Sequence, residues 1–380
     1  MPLIGMSANL RVSMSWASYT NMQMFWHRLR PKTERRLRSL PLALVFGVVA
    51  VAAAWAAFDR GLAAYMEGDF KTAFTEMKEA AEAGDATAAN NLGVMFSTGR
   101  GTDPNPEEAV EWYRKAAAKG DDEAQFNLGV AYEQGQGVPQ DYAAAARWYR
   151  LAAEKGNPSA QYNLGALMFR NLGGTYPPQE ALKWYRAAAA QGDVSAMKSL
   201  GDMLGSGEAV PQDLVGSATA YRTAAEAGDA EAQRVYGAML AKGVAGAVNK
   251  AEALSWYTKA AEQGDVQAQY NLGRMYAEGD DIAADDLQAY FWLSLAADHL
   301  GASELAADAS ERRKALAVRL GAAQADEADH RIDQWHPSSR TVLAGASAPS
   351  AAPPKPDCRS AMQASLSSVG SRSAVRDACR

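Results

Sequence analysis

A single pattern of paired residues recurs along most of this chain at a spacing of 36 residues. A glycine followed by Asp or Asn opens each unit, and a Leu-Gly pair, a Trp-Tyr pair and an Ala-Ala pair follow in a fixed order. The first of these columns comprises Gly84-Asp85, Gly120-Asp121, Gly156-Asn157, Gly192-Asp193, Gly228-Asp229 and Gly264-Asp265. Columns that stay in register at one period are typical of a repeat array, and they constrain the fold more than composition does.

Each unit predicts two helices, because it contains two sets of residues that end one helix and begin the next. The glycine of each Gly-Asp pair suits a left-handed residue just past a helix end, and the following Asp or Asn can cap the next helix. A second capping column comprises Asn105, Asp141, Pro177, Asp213, Asn249 and Asp285. Only Pro177 in that column lacks a side chain that can cap. In the first full repeat these signals predict helices over about residues 86–98 and 106–119, here called helix A and helix B.

The residues between the caps predict that the helices pack closely and that neighbouring units stack. Helix A carries the Leu-Gly pair, while helix B carries the Trp-Tyr pair followed by Ala-Ala. Small residues let helix backbones approach, and one buried aromatic side chain removes about 150–250 Å² from water. No isolated helix pair can bury that face, so neighbouring pairs must cover it. The sequence therefore predicts an all-α chain, an α-α superhelix or solenoid of about seven 36-residue helix-turn-helix repeats.

One unit carries a fuller motif that links the chain to a known family. It reads Ala124-Gln125-Phe126-Asn127-Leu128-Gly129, then Tyr132, Gly135, Gly137, Val138, Pro139, Gln140 and Asp141, and then Ala146, Trp148, Tyr149, Ala152, Ala153 and Gly156. This pattern resembles the Sel-1-like repeat family, which is related to tetratricopeptide repeats and has a longer interhelical loop. The resemblance covers about residues 57–300. It implies a superhelical scaffold that binds protein partners on its concave face.

The repeat pattern divides the chain into an array with flanking segments. We assign the array to residues 58–300, where a degenerate helix pair at 58–83 precedes six good units. Residues 301–336 predict a longer helical pair that caps the array, with an apolar contact set of Leu305, Leu316, Leu320, Ile332 and Trp335. Residues 337–380 are rich in Pro, Ser and Ala and predict a flexible tail. The only two cysteines, Cys358 and Cys379, lie in this tail. They would pair as a disulfide in an oxidising compartment, or remain as two free thiols.

Residues 1–57 predict an export signal or an uncleaved signal anchor. Six Lys or Arg residues between 28 and 38 precede an uncharged run over residues 40–58. Ala54 and Ala56 flank Trp55 and form a small-residue cleavage motif. The run has nearly the length that spans a bilayer, which keeps the anchor alternative open. Both alternatives place the repeats outside the cytoplasm, since the basic flank stays inside. We therefore expect a periplasmic or exported protein, or one anchored in the inner membrane.

Charge is segregated along the chain, whose formal net charge is −6. Residues 1–56 carry seven Lys or Arg and one Glu, while residues 338–380 carry six Lys or Arg and two Asp. The part between them therefore carries a net charge of −16. An array this acidic would repel phosphate backbones, so we expect no nucleic-acid partner.

The residues that usually carry catalysis or bind metals form no recognisable constellation. His27, His299, His330 and His336 do not pair with one another or with cysteine at metal-ligand spacing. The chain contains no phosphate-binding loop motif, and its acidic residues are scattered over predicted helix surfaces. We therefore predict no catalytic residue, no metal and no small-molecule cofactor, and a protein that is not an enzyme.

Two variable rows on helix A predict the binding surface, since the framework columns stay fixed while these rows change. The first row, two residues before each repeat leucine, is Asn90, Phe126, Tyr162, Lys198, Arg234 and Tyr270. The second row, two residues after it, is Val94, Val130, Ala166, Asp202, Ala238 and Arg274. The partner-binding candidates are Phe126, Val130, Tyr162, Lys198, Asp202, Arg234, Tyr270 and Arg274. The alternative is that the aromatic residues pack against the neighbouring helix A and contact no partner.

These observations predict an exported scaffold, adaptor or regulator for protein–protein interaction, which binds a protein or peptide on its concave face. The N-terminal segment would add a membrane contact if it is not cleaved. A second hypothesis is a membrane-anchored structural protein of the cell envelope. A third is an enzyme that acts on peptidoglycan or another glycan, with the acidic groove as its site. Turnover by the purified protein would distinguish the third from the other two.

Overall fold

Every regular element in the described part of the chain is an α-helix. The computed structural model describes residues 42–279, 282–301 and 303–337, with side chains from residue 55 onward. The helices are α1 (Leu42–Glu67), α2 (Phe70–Glu82), α3 (Ala86–Thr98), α4 (Pro106–Ala118), α5 (Asp122–Gln134), α6 (Tyr142–Glu154), α7 (Pro158–Phe169), α8 (Pro178–Ala190), α9 (Val194–Ser206), α10 (Leu214–Glu226), α11 (Ala230–Lys242), α12 (Lys250–Glu262), α13 (Val266–Glu278), α14 (Asp286–His299), α15 (Glu304–Leu320) and α16 (Ala322–Asp333). The predictions of an all-α repeat fold and of the two helices in the first full repeat are confirmed.

The described residues divide into two compact units, and the boundary along the chain lies within α6, between residues 151 and 152. In the N-terminal unit the consecutive helices α1 to α5 pack against one another. Their core includes Phe58, Met77, Leu92 and Leu128, each at most 1% exposed. In the C-terminal unit consecutive helices pack from α7 to α16. Each unit thus builds its core from neighbouring helix pairs, as a repeat array requires.

Side-chain caps begin nearly all the helices of the array, and they lie at the predicted positions. At the helix A starts, Asp85, Asp121, Asn157, Asp193, Asp229 and Asp265 each accept a hydrogen bond from the backbone N–H three residues later. The helix B caps Asn105, Asp141, Asp213, Asn249 and Asp285 do the same. Pro177 makes no such bond, as predicted. Each cap satisfies a backbone donor that would otherwise lack a partner.

The glycine of each Leu-Gly pair provides room for a ring from helix B. A Cβ atom added at Gly129 would lie 2.4 Å from Cδ1 of Tyr149, and one added at Gly201 would lie 2.6 Å from Cε2 of Tyr221. Contacts this short do not occur for real Cβ atoms, so a side chain at either glycine would displace the ring. The Leu-Gly and Trp-Tyr columns recur together because each tyrosine ring packs on the bare backbone of its own repeat.

The C-terminal helices cap the array with most, but not all, of the predicted apolar contacts. Leu316 is 2% exposed, Leu320 and Ile332 pack against the last core, and Trp335 lies edge-on to Trp292 at 6.3 Å. The prediction for Leu305 is wrong, because its side chain is 38% exposed. It lies in the first turn of α15, whose buried residues are Ala306, Ala309 and Leu316.

Several predictions concern residues that the structure does not describe. Of the predicted tail at 337–380, all but Pro337 lies outside the described residues, including Cys358 and Cys379, and so does the basic cluster before residue 40. The helix α1 begins at Leu42 within the uncharged run and continues to Glu67 in the first repeat. Within the described residues, no helix combines the length and the hydropathy that a membrane crossing requires.

Candidate functional site

In the N-terminal unit, Phe126 and Val130 lie on α5 and are partly exposed. The Phe126 ring contacts the ring of Tyr149 at 5.7 Å between centroids. Tyr149 itself is fully buried and donates a hydrogen bond to Glu133 at 2.7 Å. Phe126 therefore has one face on a fixed ring of its own repeat, while its other side remains partly open to solvent.

In the C-terminal unit, the two predicted tyrosines also have intramolecular partners. Tyr162 on α7 lies 5.9 Å from the ring of Tyr185 on α8. The Tyr270 hydroxyl donates to Asp308 of α15 at 2.7 Å, and Arg312 donates to the same carboxylate at 2.6 Å. The end of the predicted aromatic row is therefore bonded to the capping helix α15. The aromatic contacts are made mainly with helix B or the cap, rather than with the neighbouring helix A.

The two predicted cations of the first row link successive helices A of the C-terminal unit. Lys198 on α9 lies 2.7 Å from Glu231 and 3.3 Å from Asp229, both at the start of α11. Arg234 on α11 lies 3.2 Å from Asp265, the cap of α13. Burial disfavours the charged form of Lys198, but the two acidic partners outweigh it and raise the pKa of this ammonium group. These cations stabilise the capping carboxylates of the next repeat.

The second row is the more exposed of the two in this unit. Asp202 is exposed and accepts a short hydrogen bond from the hydroxyl of Tyr221. Burial and this bond to Asp202 together raise the pKa of Tyr221. Arg274 is also exposed and lies 3.9 Å from Glu278. Asp202 and Arg274 therefore offer charged groups to solvent from the face where the sequence predicts binding.

A cleft of about 520 Å³ opens beside Asp202, and we call it the Asp202 cleft. Its walls include Phe169 from the end of α7, Met203 on α9, and Val235 and Met239 on α11. Phe169 is 48% exposed although its side chain is large and apolar. The cleft thus combines an apolar lining with one carboxylate. This combination suits an apolar side chain of a ligand together with the backbone N–H groups beside it.

The repeat register explains why the cleft forms at this place. The residue equivalent to Phe169 is Glu133 in the preceding repeat and Gly205 in the following one. Gly205 provides no side chain to fill the space. Ser199 and Val235 stand where other repeats have Asn163 or Asn271, and both line the cleft. These departures between repeats are the sequence signal for the cleft, and they lie outside the two variable rows.

A buried glutamine column is a second feature that the sequence analysis missed. In the C-terminal unit, Gln233 Nε2 donates to the carbonyl of Ala225 at 3.1 Å, and Gln263 donates to Gln233 Oε1 at 2.8 Å. The same bond to the carbonyl eight residues earlier is made by Gln125, Gln161 and Gln269. These side chains are at most 6% exposed. They link repeats internally, so they belong to the framework rather than to a binding surface.

The residues that could bind a metal are not grouped in the described structure. Across residues 55–337, apart from the short gaps, no three His, Cys, Asp or Glu side chains are placed to hold an ion. The capping carboxylates Asp229 and Asp265 instead pair with Lys198 and Arg234.

Comparison with solved structures places the chain among proteins of the same fold. A protective antigen of uropathogenic Escherichia coli strains, which displays an SLR fold, is 35% identical with a TM-score of 0.63. That match covers 74% of this chain and 61% of the antigen, so this chain spans less than two thirds of the antigen. A Sel1 repeat protein from Oxalobacter formigenes is 33% identical with a TM-score of 0.55, over 63% of this chain and 99% of that protein. No curated protein sequence matches this chain.

The family model for the Sel1 repeat matches six consecutive segments of the chain. These are residues 86–121, 122–157, 158–193, 194–229, 230–265 and 266–299. Each begins at a helix A and ends with the capping residue of the next repeat or, in the last segment, with the end of α14. The six segments coincide with the six good units expected from the sequence and cover more than half of its length. This chain belongs to the Sel1 repeat family.

Proposed function

We propose that this chain is an exported scaffold, adaptor or regulator that binds a segment of a partner protein along the helix A rows. Sel1 repeat arrays are scaffolds that typically mediate protein–protein interaction. Helix-pair arrays expose long surfaces whose framework is fixed while individual side chains vary. From the second repeat onward the variable-row residues of helix A are at least partly exposed, whereas Asn90 and Val94 of the first repeat are buried.

The observation that carries the proposal is the Asp202 cleft. Binding energy at protein interfaces is concentrated in a few apolar anchors that enter desolvated pockets. The walls formed by Phe169, Met203 and Met239 provide such a pocket, and the carboxylate of Asp202 can accept hydrogen bonds from the partner. The partner segment would place one apolar side chain in this cleft and extend along the exposed second row.

The contacts of the aromatic row determine which substitutions can test this proposal. Phe126 and Tyr162 pack on the buried Tyr149 and Tyr185, so changing them to Ala would remove framework contacts as well as any partner contact. Met239 lines the cleft, whereas Val248 lies outside it in the following loop and is 54% exposed. A Met239→Lys variant therefore places a charged ammonium group in the cleft. Val248→Lys adds the same group outside the cleft and is its matched control.

The test is a crosslinked pull-down from intact cells with the native chain and these two variants, after circular dichroism has shown that they fold alike. We expect one partner to be recovered with the native chain and with Val248→Lys, and lost with Met239→Lys. Equal recovery of that partner with all three chains would refute binding at the cleft. Recovery of no specific partner with any of them would refute the scaffold proposal.

The export part of the proposal rests on the order of charge and hydropathy before the array. The basic cluster precedes the apolar run, and Ala54-Trp55-Ala56 precedes the first core residues. Ala57 and Phe58 are 0% and 1% exposed, and cleavage after Ala56 would keep both of these core residues in the mature chain. We expect a mature N-terminus at Ala57 in the periplasmic fraction.

Membrane retention is the alternative, and it rests on the uncharged run over residues 40–58, which has nearly the length that spans a bilayer. A chain that keeps residues 1–57 and remains in the membrane fraction would support the anchored form. An uncleaved chain in the cytoplasmic fraction would contradict both forms. Cell fractionation followed by N-terminal sequencing distinguishes the three outcomes.

A further inference from the structure

The tryptophan column of helix B is interrupted at one position. The column comprises Trp112, Trp148, Trp184, Trp256 and Trp292 in five of the six matched repeats. Trp112, Trp184 and Trp292 are 7%, 8% and 6% exposed, so these repeats bury an indole at this place. In the fourth repeat the residue is Ala220, which is too small to occupy the same space.

The fifth repeat shows where an indole at this position lies. The Trp256 ring contacts the Tyr236 ring edge-on, at 5.7 Å between centroids. Tyr236 stands in the leucine column of helix A, and the corresponding residue of the fourth repeat is Leu200. An aromatic ring that replaced the missing indole would therefore lie against Leu200, above Ala220.

A slot of about 500 Å³ is present at this place, and we call it the Ala220 slot. Its apolar walls include Leu200, Leu204, Met197 and Val215. Met197 stands in the buried glutamine column, so the fourth repeat has lost a polar group at this wall. Val215 is 64% exposed, which leaves an apolar wall open to solvent.

Two charged residues lie at the rim of the slot. In two of the other repeats a lysine three residues after the tryptophan covers the ring, with Lys115 at 3.5 Å from the Trp112 centroid and Lys259 at 3.8 Å from that of Trp256. Thr223 takes this place in the fourth repeat, but Arg186 of α8 lines the slot. A guanidinium there can lie over an aromatic ring, as the two lysines do.

The other end of the slot favours a basic ligand. Asp213 lines it and is exposed, and one oxygen of its carboxylate accepts the N–H of Gly216 at 2.8 Å. Residues 57–337 carry a net charge of −16, so the long-range field attracts cationic segments.

We infer that the Ala220 slot is a second binding site, which takes a tryptophan-sized aromatic side chain from a partner peptide with basic flanking residues. The ring enters between Leu200 and Val215, Arg186 lies over its face, and a flanking cation approaches Asp213. The incoming indole completes the tryptophan column from outside the chain. This site is lined by α8, α9 and α10 residues other than those of the Asp202 cleft, so it does not depend on the proposed function.

The test uses the full chain and three capped peptides, acetyl-Lys-Trp-Lys-amide, acetyl-Lys-Ala-Lys-amide and acetyl-Glu-Trp-Glu-amide, titrated by isothermal calorimetry at low salt. We expect the first to bind with a dissociation constant on the order of 1 mM, since one ring supplies most of the buried area. The alanine peptide should bind at least about tenfold more weakly, because it lacks the ring. The acidic peptide should also bind more weakly than the first, with the difference shrinking as salt is added.

The decisive variant is Ala220→Trp, which fills the slot from within. It should weaken binding of the Lys-Trp-Lys peptide at least about tenfold and raise the thermal midpoint, because a buried indole stabilises the array. Ser255→Trp, at an exposed position of α12, is the control and should change neither quantity. If Ala220→Trp does not fold, Val215→Asp serves instead. An acidic residue is tolerated in the first turn of α10, and it would make the apolar wall polar while still attracting a basic peptide.

Three results would overturn the inference. The first is native binding by the folded Ala220→Trp or Val215→Asp variant. The second is equal binding of the tryptophan and alanine peptides. The third concerns Trp26, which lies two residues before the basic cluster at residues 28–38. Peptide binding that appears only in a Trp26→Ala variant would make the chain's own N-terminal segment the occupant instead of a partner.

Discussion

The close packing of the Leu-Gly column predicts that alanine substitutions will differ from repeat to repeat. A Cβ at Gly201 would lie 2.6 Å from Cε2 of Tyr221, whereas one at Gly237 would lie 3.3 Å from Cδ1 of Tyr257. Both glycines are in the same compact unit and in the same column, so they form a matched pair. Tyr221 is 7% exposed, and its hydroxyl is bonded to Asp202, which limits how far the ring can move.

Two opposing effects determine the change in the free energy of unfolding. Replacing glycine by alanine within a helix stabilises it by roughly 0.5–1 kcal/mol, while overpacking a close contact costs roughly 1–3 kcal/mol. At Gly201 the cost of overpacking exceeds the gain in helix stability, so we expect the free energy of unfolding to fall by about 0.5–2 kcal/mol. At Gly237 a shift of a few tenths of an ångström relieves the contact. We therefore expect no loss there, or a gain of up to about 1 kcal/mol.

Thermal and urea unfolding, followed by circular dichroism, measures both variants. Gly165→Ala should lie between them, because its Cβ would be 3.0 Å from Tyr185. The cost of Gly201→Ala should also shrink in a Tyr221→Leu background, where the ring is absent. If Gly201→Ala is as stable as Gly237→Ala, or if Tyr221→Leu leaves its cost unchanged, the steric explanation of the column is wrong.

Three further predictions concern the caps, the glutamine column and alkaline pH. Asp229→Ala should lower the free energy of unfolding in urea by about 1–2 kcal/mol, because it removes the cap of α11 and the ion pair with Lys198. Asp229→Asn keeps the cap and should cost less than half of that. Gln233→Ala should cost about 1–3 kcal/mol by the same measurement, and Gln233→Met less, since Met197 already occupies this column. Burial is the main cause that raises the pKa of Tyr185 to about 12, whereas the pKa of a tyrosine in the unfolded chain is near 10. The contribution of Tyr185 to stability should therefore be fully present below pH 10 and be lost as the pH rises towards 12. A melting temperature that rises over this range would contradict the assignment.

The repeat framework could be predicted from sequence because its columns encode local geometry. Capping residues such as Asp121 and Asn105 act on backbone groups three residues away, so their spacing alone locates helix starts. The Leu-Gly and Trp-Tyr columns recur together because Gly129 and its equivalents leave room for rings such as Tyr149. Close packing between adjacent helices therefore leaves a periodic trace in the chain.

The site could be predicted only as a surface, because its details depend on contacts between repeats. The period places Lys198 and Tyr270 on the variable face, but it does not indicate that they bond to Glu231 and Asp308. Leu305 is exposed because α15 packs through the face of Ala306, Ala309 and Leu316, and hydropathy alone does not specify that face. The Asp202 cleft and the Ala220 slot arise where a repeat departs from its own columns. Departures from the repeat consensus are thus the sequence signal for both sites.

The most direct test of the scaffold account is site-specific photocrosslinking in intact cells. A benzoyl-phenylalanine in place of Phe169 puts the reactive group at the mouth of the Asp202 cleft, where the native ring is already 48% exposed. The same residue in place of Ser255 puts it on an exposed face of helix B. The account predicts one discrete protein adduct from position 169 and none from position 255, with the adduct lost when Met239→Lys is added. An equal adduct from both positions, or an adduct at 169 that survives Met239→Lys, would contradict binding at the cleft.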